Sequence, residues 1–210
     1  MSTLPPGVIY TAVSEGYDSA PTKTCFDDGV EVENRTPPKG LPPGRPAALW
    51  NREEKIMNPP RSGLWSLYLD GSIAPKRAIS STVESWLEKS DFAMFKHPWR
   101  TCAYDEIDEC VLRGKISSDE AEKARAHLLL AGFPKSFGLW ACGVIARRSY
   151  CNALQHHTAP AWWALVRELP RDQIWLPFVL WRMLGSKGRV HTIDADIYHN
   201  KWFNFRRHNK

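Results

Sequence analysis

An apolar and aromatic run, Leu64 to Leu69, stops abruptly at Asp70-Gly71. Such a run reads as a buried strand with a polar residue at its carboxyl end. Val8 to Val13, Phe92 to Phe95, Leu139 to Ala146 and Val190 to Ile193 read as further strands. Helix-like stretches lie between them. Ser81-Thr82-Val83-Glu84 has the form of a capping box opening a helix to about Lys89. Helices at about 103–113 and 118–131 are stopped by Gly114 and Gly132. Another begins at Pro160 and runs to Glu168, and a last long one covers Arg171 to Leu184. Strands alternating with helices predict an α/β layer fold with a mostly parallel central sheet flanked by helices. In such sheets ligands bind at the carboxyl ends of strands, and Asp70 sits at one.

The 210 residues suit one domain spanning 1–210. Two stretches break the pattern: a Pro/Gly-rich loop around 27–50 and a basic aromatic tail around 199–210. The ten tryptophans are good core material and also suit sugar or base sites. No run of about 18 apolar residues occurs, so no membrane insertion is expected. The start, Met1 to Pro6, lacks the basic and apolar regions of a secretory signal. Five cysteines with no CxxC pair point to reduced thiols in a cytoplasmic protein. Charge is uneven: residues 1–95 carry 10 Lys/Arg and 12 Asp/Glu, and residues 96–210 carry 18 and 11. The basic second half suits phosphates, whether of a nucleotide, a nucleic acid or an anionic glycan, and equally suits a solvated surface.

Asp70 has two readings. As a hard oxygen donor it suits Mg²⁺ or Mn²⁺ held against a nucleoside diphosphate, and as part of Asp-Gly it suits a hairpin turn. Arg52 and Lys55 are three apart on a short helix after Asn51, hence on one face. Asp172 is a helix cap or, with Arg171 and Gln173, part of a site wall. His97 and Arg100 follow a strand, again at a carboxyl end. His199 or His208 in the tail could complete a metal site.

In order along the chain, these pieces resemble one family. It is the glycosyltransferase-like domain of the plant mucilage-associated and pollen-turgor proteins, with bacterial and phage members, in the GT-A superfamily. The likeness runs from about Gly7 to His208. Tyr10-Thr11-Ala12 with Gly16-Tyr17-Asp18 resembles its opening strand and loop, and Cys25-Phe26-Asp27-Asp28 its second strand end. Arg52 to Ile56 resembles its Arg-x-x-Lys helix, and Trp65 to Ile73 its Tyr-Leu-Asp strand. Phe95 to Arg100 with Tyr104 and Glu106 resembles its His-Pro-x-Arg block. Gly143 to Ile145 with Arg147 resembles a later strand, and Arg171-Asp172-Gln173 its most specific tripeptide.

The resemblance implies transfer of a sugar from a nucleoside-diphosphate sugar, UDP-glucose or similar, to a hydroxyl, with Mn²⁺ or Mg²⁺. It places Tyr10, Thr11, Tyr17, Arg52, Lys55 and Asp70 around the donor, with Asp70 and His208 on the metal. It gives Asp172, Gln173 and His97 the catalytic roles, and Arg100, Arg206 and Arg207 the acceptor. Two departures stand out: Ser72 replaces the second carboxylate of Asp-x-Asp, and Ala141 stands where many relatives have an acidic residue. A general base at Ala141 is absent, so retention or inversion is not assigned. The basic half and tail suit a DNA acceptor bearing hydroxymethylated pyrimidines, reached in the groove or by base flipping. A polysaccharide or glycolipid precursor is the competing acceptor. A non-catalytic nucleic-acid-binding module is the reading from another class.

Overall fold

The computed structural model describes residues 6–13, 29–149, 153–184 and 190–206. Of the expected site residues, Tyr17, Arg207 and His208 lie outside these. So do Cys25 to Asp28, Cys151 and the segment Gly16-Tyr17-Asp18.

Six strands form the main sheet: β1 (Gly7–Ala12), β2 (Glu31–Arg35), β3 (Trp65–Leu69), β5 (Phe92–Lys96), β6 (Trp140–Arg148) and β7 (Val190–Ile193). Their order is β2-β1-β3-β6-β5-β7. β1 is parallel to β2 and β3, and β5 to β7, while β6 runs antiparallel to both β3 and β5. Five strands therefore share one direction, and their carboxyl ends share one edge. A small second sheet pairs β4 (Ile73–Pro75) with β8 (Phe203–Phe205).

Strand alternation sends side chains to two layers. Tyr10, Tyr68, Met94 and Cys142 face a layer built from α1 (Arg45–Met57), α3 (Ala103–Leu112), α4 (Ser118–Leu130), α5 (Ala153–Glu168) and α6 (Asp172–Leu184). Leu67, Leu69, Phe95 and Val144 face α2 (Ser80–Leu87) and the β4/β8 sheet. Among the described residues no helix is long and apolar enough to cross a membrane.

The expected strands and helices form, with corrections that have local causes. The 27–50 stretch holds a strand and the start of a helix. β2 is an edge strand whose side chains are half-buried or exposed, so its residues alternate without an apolar run. Pro46 sits in the first turn of α1, where its missing N–H costs nothing, so the helix starts well before Asn51. The capping box at Ser81 does not form: α2 starts a residue earlier, with Ile79 as an N-cap lacking a side-chain bond. The box that does form joins Ser117 and Glu120 on α4. α5 begins at Ala153 and carries Pro160 inside it, where packing on α1 and α6 outweighs the local preference. Gly114 and Gly132 end α3 and α4 as expected; both adopt positive φ (62° and 72°), which a side chain would resist. The described part of the tail, up to Arg206, is anchored: Phe203 is 1% exposed, and Trp202 packs edge-on against Trp86 at 5.1 Å.

Candidate active site

β1 lies between β2 and β3 although it precedes both, so the chain changes direction across the sheet there. Crevices for ligands open at such points, outside the carboxyl ends of the strands. Asp70 follows β3 at this edge. Its N–H donates to the Gly143 carbonyl at 2.8 Å, and its own carbonyl accepts from Ile73 N–H at 2.8 Å. Asp70-Gly71 is thus a turn but not a hairpin, because β4 pairs with β8. The side chain stays 42% exposed.

Lys55 reaches this carboxylate from α1. Its ammonium lies 3.1 Å from Asp70 Oδ1 and donates to Asp172 Oδ2 at 2.8 Å, above the Tyr68 ring at 4.7 Å. Lys55 and Asp172 are both buried. Burial alone would favour the neutral lysine and neutral acid, but the two carboxylates hold Lys55 charged and raise its pKa well above the ordinary value. For Asp172, burial is likewise outweighed by the Lys55 ammonium and then by Arg52, leaving its carboxyl below the usual range. Arg52 Nε stands 3.6 Å from Asp172 Oδ1, and its Nη1 donates to the Ala48 carbonyl. Asp70, Arg52, Lys55 and Asp172 are therefore brought together from β3, α1 and α6.

A second group of expected residues gathers at the end of β5. A cavity of about 190 Å³ is lined by His97, Arg100, Glu106, Gln173, Tyr198 and Ala141, among others. Glu106, buried on the first turn of α3, is its hub. It accepts from Arg100 Nε at 2.6 Å and from Gln173 Nε2 at 2.9 Å. His97 Nδ1 accepts the backbone N–H groups of Trp99 and Arg100, which leaves the ring proton on Nε2, 3.8 Å from Glu106 Oε2. Burial lowers the His97 pKa to about 4 despite the pull of Glu106, so the ring is neutral at neutral pH. Arg100 spends its charge on Glu106 and lies 3.7 Å from Glu109. Trp99 is 62% exposed and stacks on Tyr198 at 5.3 Å. Sequence reasoning named Glu106 only as part of a motif. Nothing local in the sequence signals the pairing of Arg100 with Glu106, because it forms only when α3 packs at the end of β5.

The remaining residues are placed differently. Tyr10 is fully buried, donates its hydroxyl to the Lys55 carbonyl at 3.1 Å and receives Arg147 Nη1 at 2.7 Å. It presents no surface to a donor and instead ties α1 to the sheet. Thr11 is 2% exposed; its hydroxyl and the side-chain oxygen of Asn34, opposite it in register, lack hydrogen-bond partners among the described residues. Arg206 is exposed, and its N–H donates to the Ser72 carbonyl at 2.7 Å, which brings the tail beside the Asp70 turn. His199 is exposed and pairs with Asp196 at 3.3 Å.

The donor set can be tested against a divalent cation. Ser72 is buried, and among the described residues no three His, Cys, Asp or Glu side chains cluster to hold a metal. Asp70 offers one half-exposed carboxylate. One or two carboxylates completed by substrate phosphates is how Mg²⁺ is commonly held, so the residues fit an ion bound together with a diphosphate.

No family model matches the chain, and no curated protein matches it. Among solved structures, the chain matches a glycosyltransferase involved in the glycosylation of the major capsid of PBCV-1. That match has 13% identity over 90% of this chain and 82% of the other, with a TM-score of 0.43. It also matches the WbbM bifunctional glycosyltransferase, with 11% identity, 92% and 39% coverage and a TM-score of 0.48. A third match is mouse xyloside xylosyltransferase 1, with 11% identity, 79% and 63% coverage and a TM-score of 0.40. The chain spans 39% of the WbbM chain and 63% of the mouse chain.

Proposed function

We propose that the chain is a nucleotide-sugar-dependent glycosyltransferase of the family its motifs resemble, acting in a reducing compartment such as the cytoplasm. The observation that carries this reading is the buried Lys55 ammonium, shared by Asp70 at 3.1 Å and Asp172 at 2.8 Å at the carboxyl end of β3. A charged cluster held rigidly at a ligand crevice is preorganised for a reaction that develops negative charge on a leaving diphosphate. Mn²⁺ or Mg²⁺ held by Asp70 would supply Lewis-acid stabilisation of that diphosphate. Lys55 orients the Asp70 carboxylate and adds positive charge beside it. Asp172, fixed by Lys55 and Arg52, is positioned to accept hydroxyl hydrogen bonds from the transferred sugar. The acceptor would enter over the Trp99–Tyr198 stack, with Gln173 and neutral His97 offering hydrogen bonds, and Arg206 alongside.

Hydroxymethylated pyrimidine in DNA is the acceptor tested first, with a polysaccharide or glycolipid precursor as the competitor. Calorimetry with nucleoside diphosphates and Mn²⁺, on the native protein and Asp70→Asn, tests the donor site. Metal-dependent binding that is lost in the variant is the expected outcome; equal affinity in both removes Asp70 from the metal. Incubation with donor and Mn²⁺ should add a hexose mass to hydroxymethylated DNA and not to unmodified DNA. If only a glycan gains mass, the DNA acceptor falls. DNA binding without any nucleotide-sugar affinity would make the protein a nucleic-acid-binding module instead.

A further inference from the structure

Arg147 is 1% exposed, yet among the described residues no carboxylate lies within ion-pair distance of it. Lys55, the other deeply buried cation, has two. Arg147 donates Nη1 to the Tyr10 hydroxyl and Nη2 to the Lys55 carbonyl at 3.0 Å, while its Nε has no hydrogen-bond partner among the described residues. A buried charge without a counter-charge is costly. Among the described residues only neutral groups meet that cost.

Beside it lies a cavity of about 340 Å³, at the edge of the sheet opposite Asp70. Arg147 pairs with Ser66 at the start of β3, and the cavity lies among that end, the loop after α1 and the first half of α5. Arg61, Arg147, Arg148 and His156 line it, and among the described residues no Asp or Glu does. Ser149, also in the lining, has a buried hydroxyl oxygen without a partner among the described residues. Arg148 is held by the carbonyls of Leu87 and Glu88, which fixes its guanidinium. Arg61 and His156 are exposed at the rim. Pro59, Pro60 and Ala159 supply an apolar wall.

We propose that this cavity is a second ligand site, taking a phosphate monoester of hexose-phosphate size and separate from the site at Asp70. Guanidinium groups suit phosphate oxygens by shape and charge. An anion bound in the cavity would supply the counter-charge that Arg147 lacks among the described residues. The space exceeds what a bare phosphate fills and falls in the range of small-molecule pockets, about 300–1,000 Å³. The apolar wall would cover the carbon skeleton attached to the phosphate.

Calorimetry with hexose 6-phosphate, inorganic phosphate and a 5′-phosphorylated oligonucleotide tests this. The native protein should bind one hexose 6-phosphate at least tenfold more tightly than inorganic phosphate. Arg61→Ala with His156→Ala changes only exposed rim residues, so folding is preserved, and it should weaken binding at least tenfold. Asp70→Asn should bind the hexose phosphate as the native protein does. The proposal is overturned by absence of binding, by unchanged affinity in the rim variant, or by loss of binding in Asp70→Asn, which would put the phosphate at the strand-end site. Inorganic phosphate binding as tightly, or the oligonucleotide binding more tightly, would equally overturn it.

Discussion

At the scale of single residues, the Lys55–Asp172 contact joins positions 117 apart in sequence, and both partners are buried. Replacing Lys55 by Met leaves the Asp172 carboxylate in the interior with Arg52 at 3.6 Å and the weaker pull of Arg171. Breaking a buried pair costs about 3–5 kcal/mol, and the remaining Arg52 favours the low end, about 3 kcal/mol. Urea unfolding of Lys55→Met measures this; a loss below about 1 kcal/mol would mean that the pair is effectively solvated. His97 gives a pH dependence. In the unfolded chain the ring takes up a proton below about 6.5, whereas in the fold it stays neutral down to about 4. The unfolded state therefore binds more protons between those values, and stability falls as pH drops through that window. His97→Asn keeps an oxygen for the Trp99 and Arg100 N–H groups and removes the titration. Its unfolding free energy should change less between pH 7 and pH 4.5 than that of the native protein. Parallel pH profiles would show that His97 is solvated.

At the scale of elements, the register of β5 on β6 shifts between Met94 and Phe95, so that Met94 pairs with Ile145 and Phe95 with Ala141. On its other side β6 keeps its register with β3, Leu69 opposite Val144, and one step further the Gly143 carbonyl takes the Asp70 N–H. Bulges of this sort re-aim a strand beside a site. A Cβ on Gly143 would stand 3.1 Å from Asp70 Oδ2 and 3.1 Å from Ile73 Cδ1, so Gly143→Ala must displace the carboxylate by a few tenths of an ångström. Metal-dependent diphosphate affinity should fall about tenfold while stability changes by about 1 kcal/mol. Calorimetry beside thermal unfolding separates the two, and unchanged affinity would show that the position of Asp70 is not critical. Much of this element scale was legible in sequence, because apolar strands and glycine stops are local signals: β3, β5, α3 and α4 fall where periodicity puts them. β2 and β8 were not. Glu31-Val32-Glu33-Asn34-Arg35 is a polar edge strand, and Phe203 is buried by pairing with β4 and packing on Phe95, both far along the chain. In the site, Asp70, Lys55 and Asp172 could each be suspected singly, but their contact depends on how α1 and α6 pack. Arg100 read as an acceptor-binding residue because nothing local shows that Glu106 folds back to neutralise it.

At the scale of the whole molecule, the sheet has helices packed on one face and α2 with the small sheet on the other, so each face needs its covering layer. Whether the layers come apart separately is readable from three thiols. Cys102, Cys110 and Cys142 are free and buried. Cys102 precedes α3, Cys110 lies within it, and Cys142 sits in β6 at the middle of the sheet. Burial raises the Cys110 pKa to about 11 and that of Cys142 well above its ordinary value, so neither forms thiolate at neutral pH. Each should react with an alkylating agent only when its surroundings open. If residues 1–210 behave as one cooperative unit, all three become reactive over the same urea range, and that range coincides with the loss of tryptophan fluorescence. Mass mapping of alkylated peptides across a urea series gives the three midpoints independently. Earlier reaction at Cys102 and Cys110 than at Cys142 would show that α3 leaves the sheet before the strands part, and the single-domain reading would then give way to two separately stable layers.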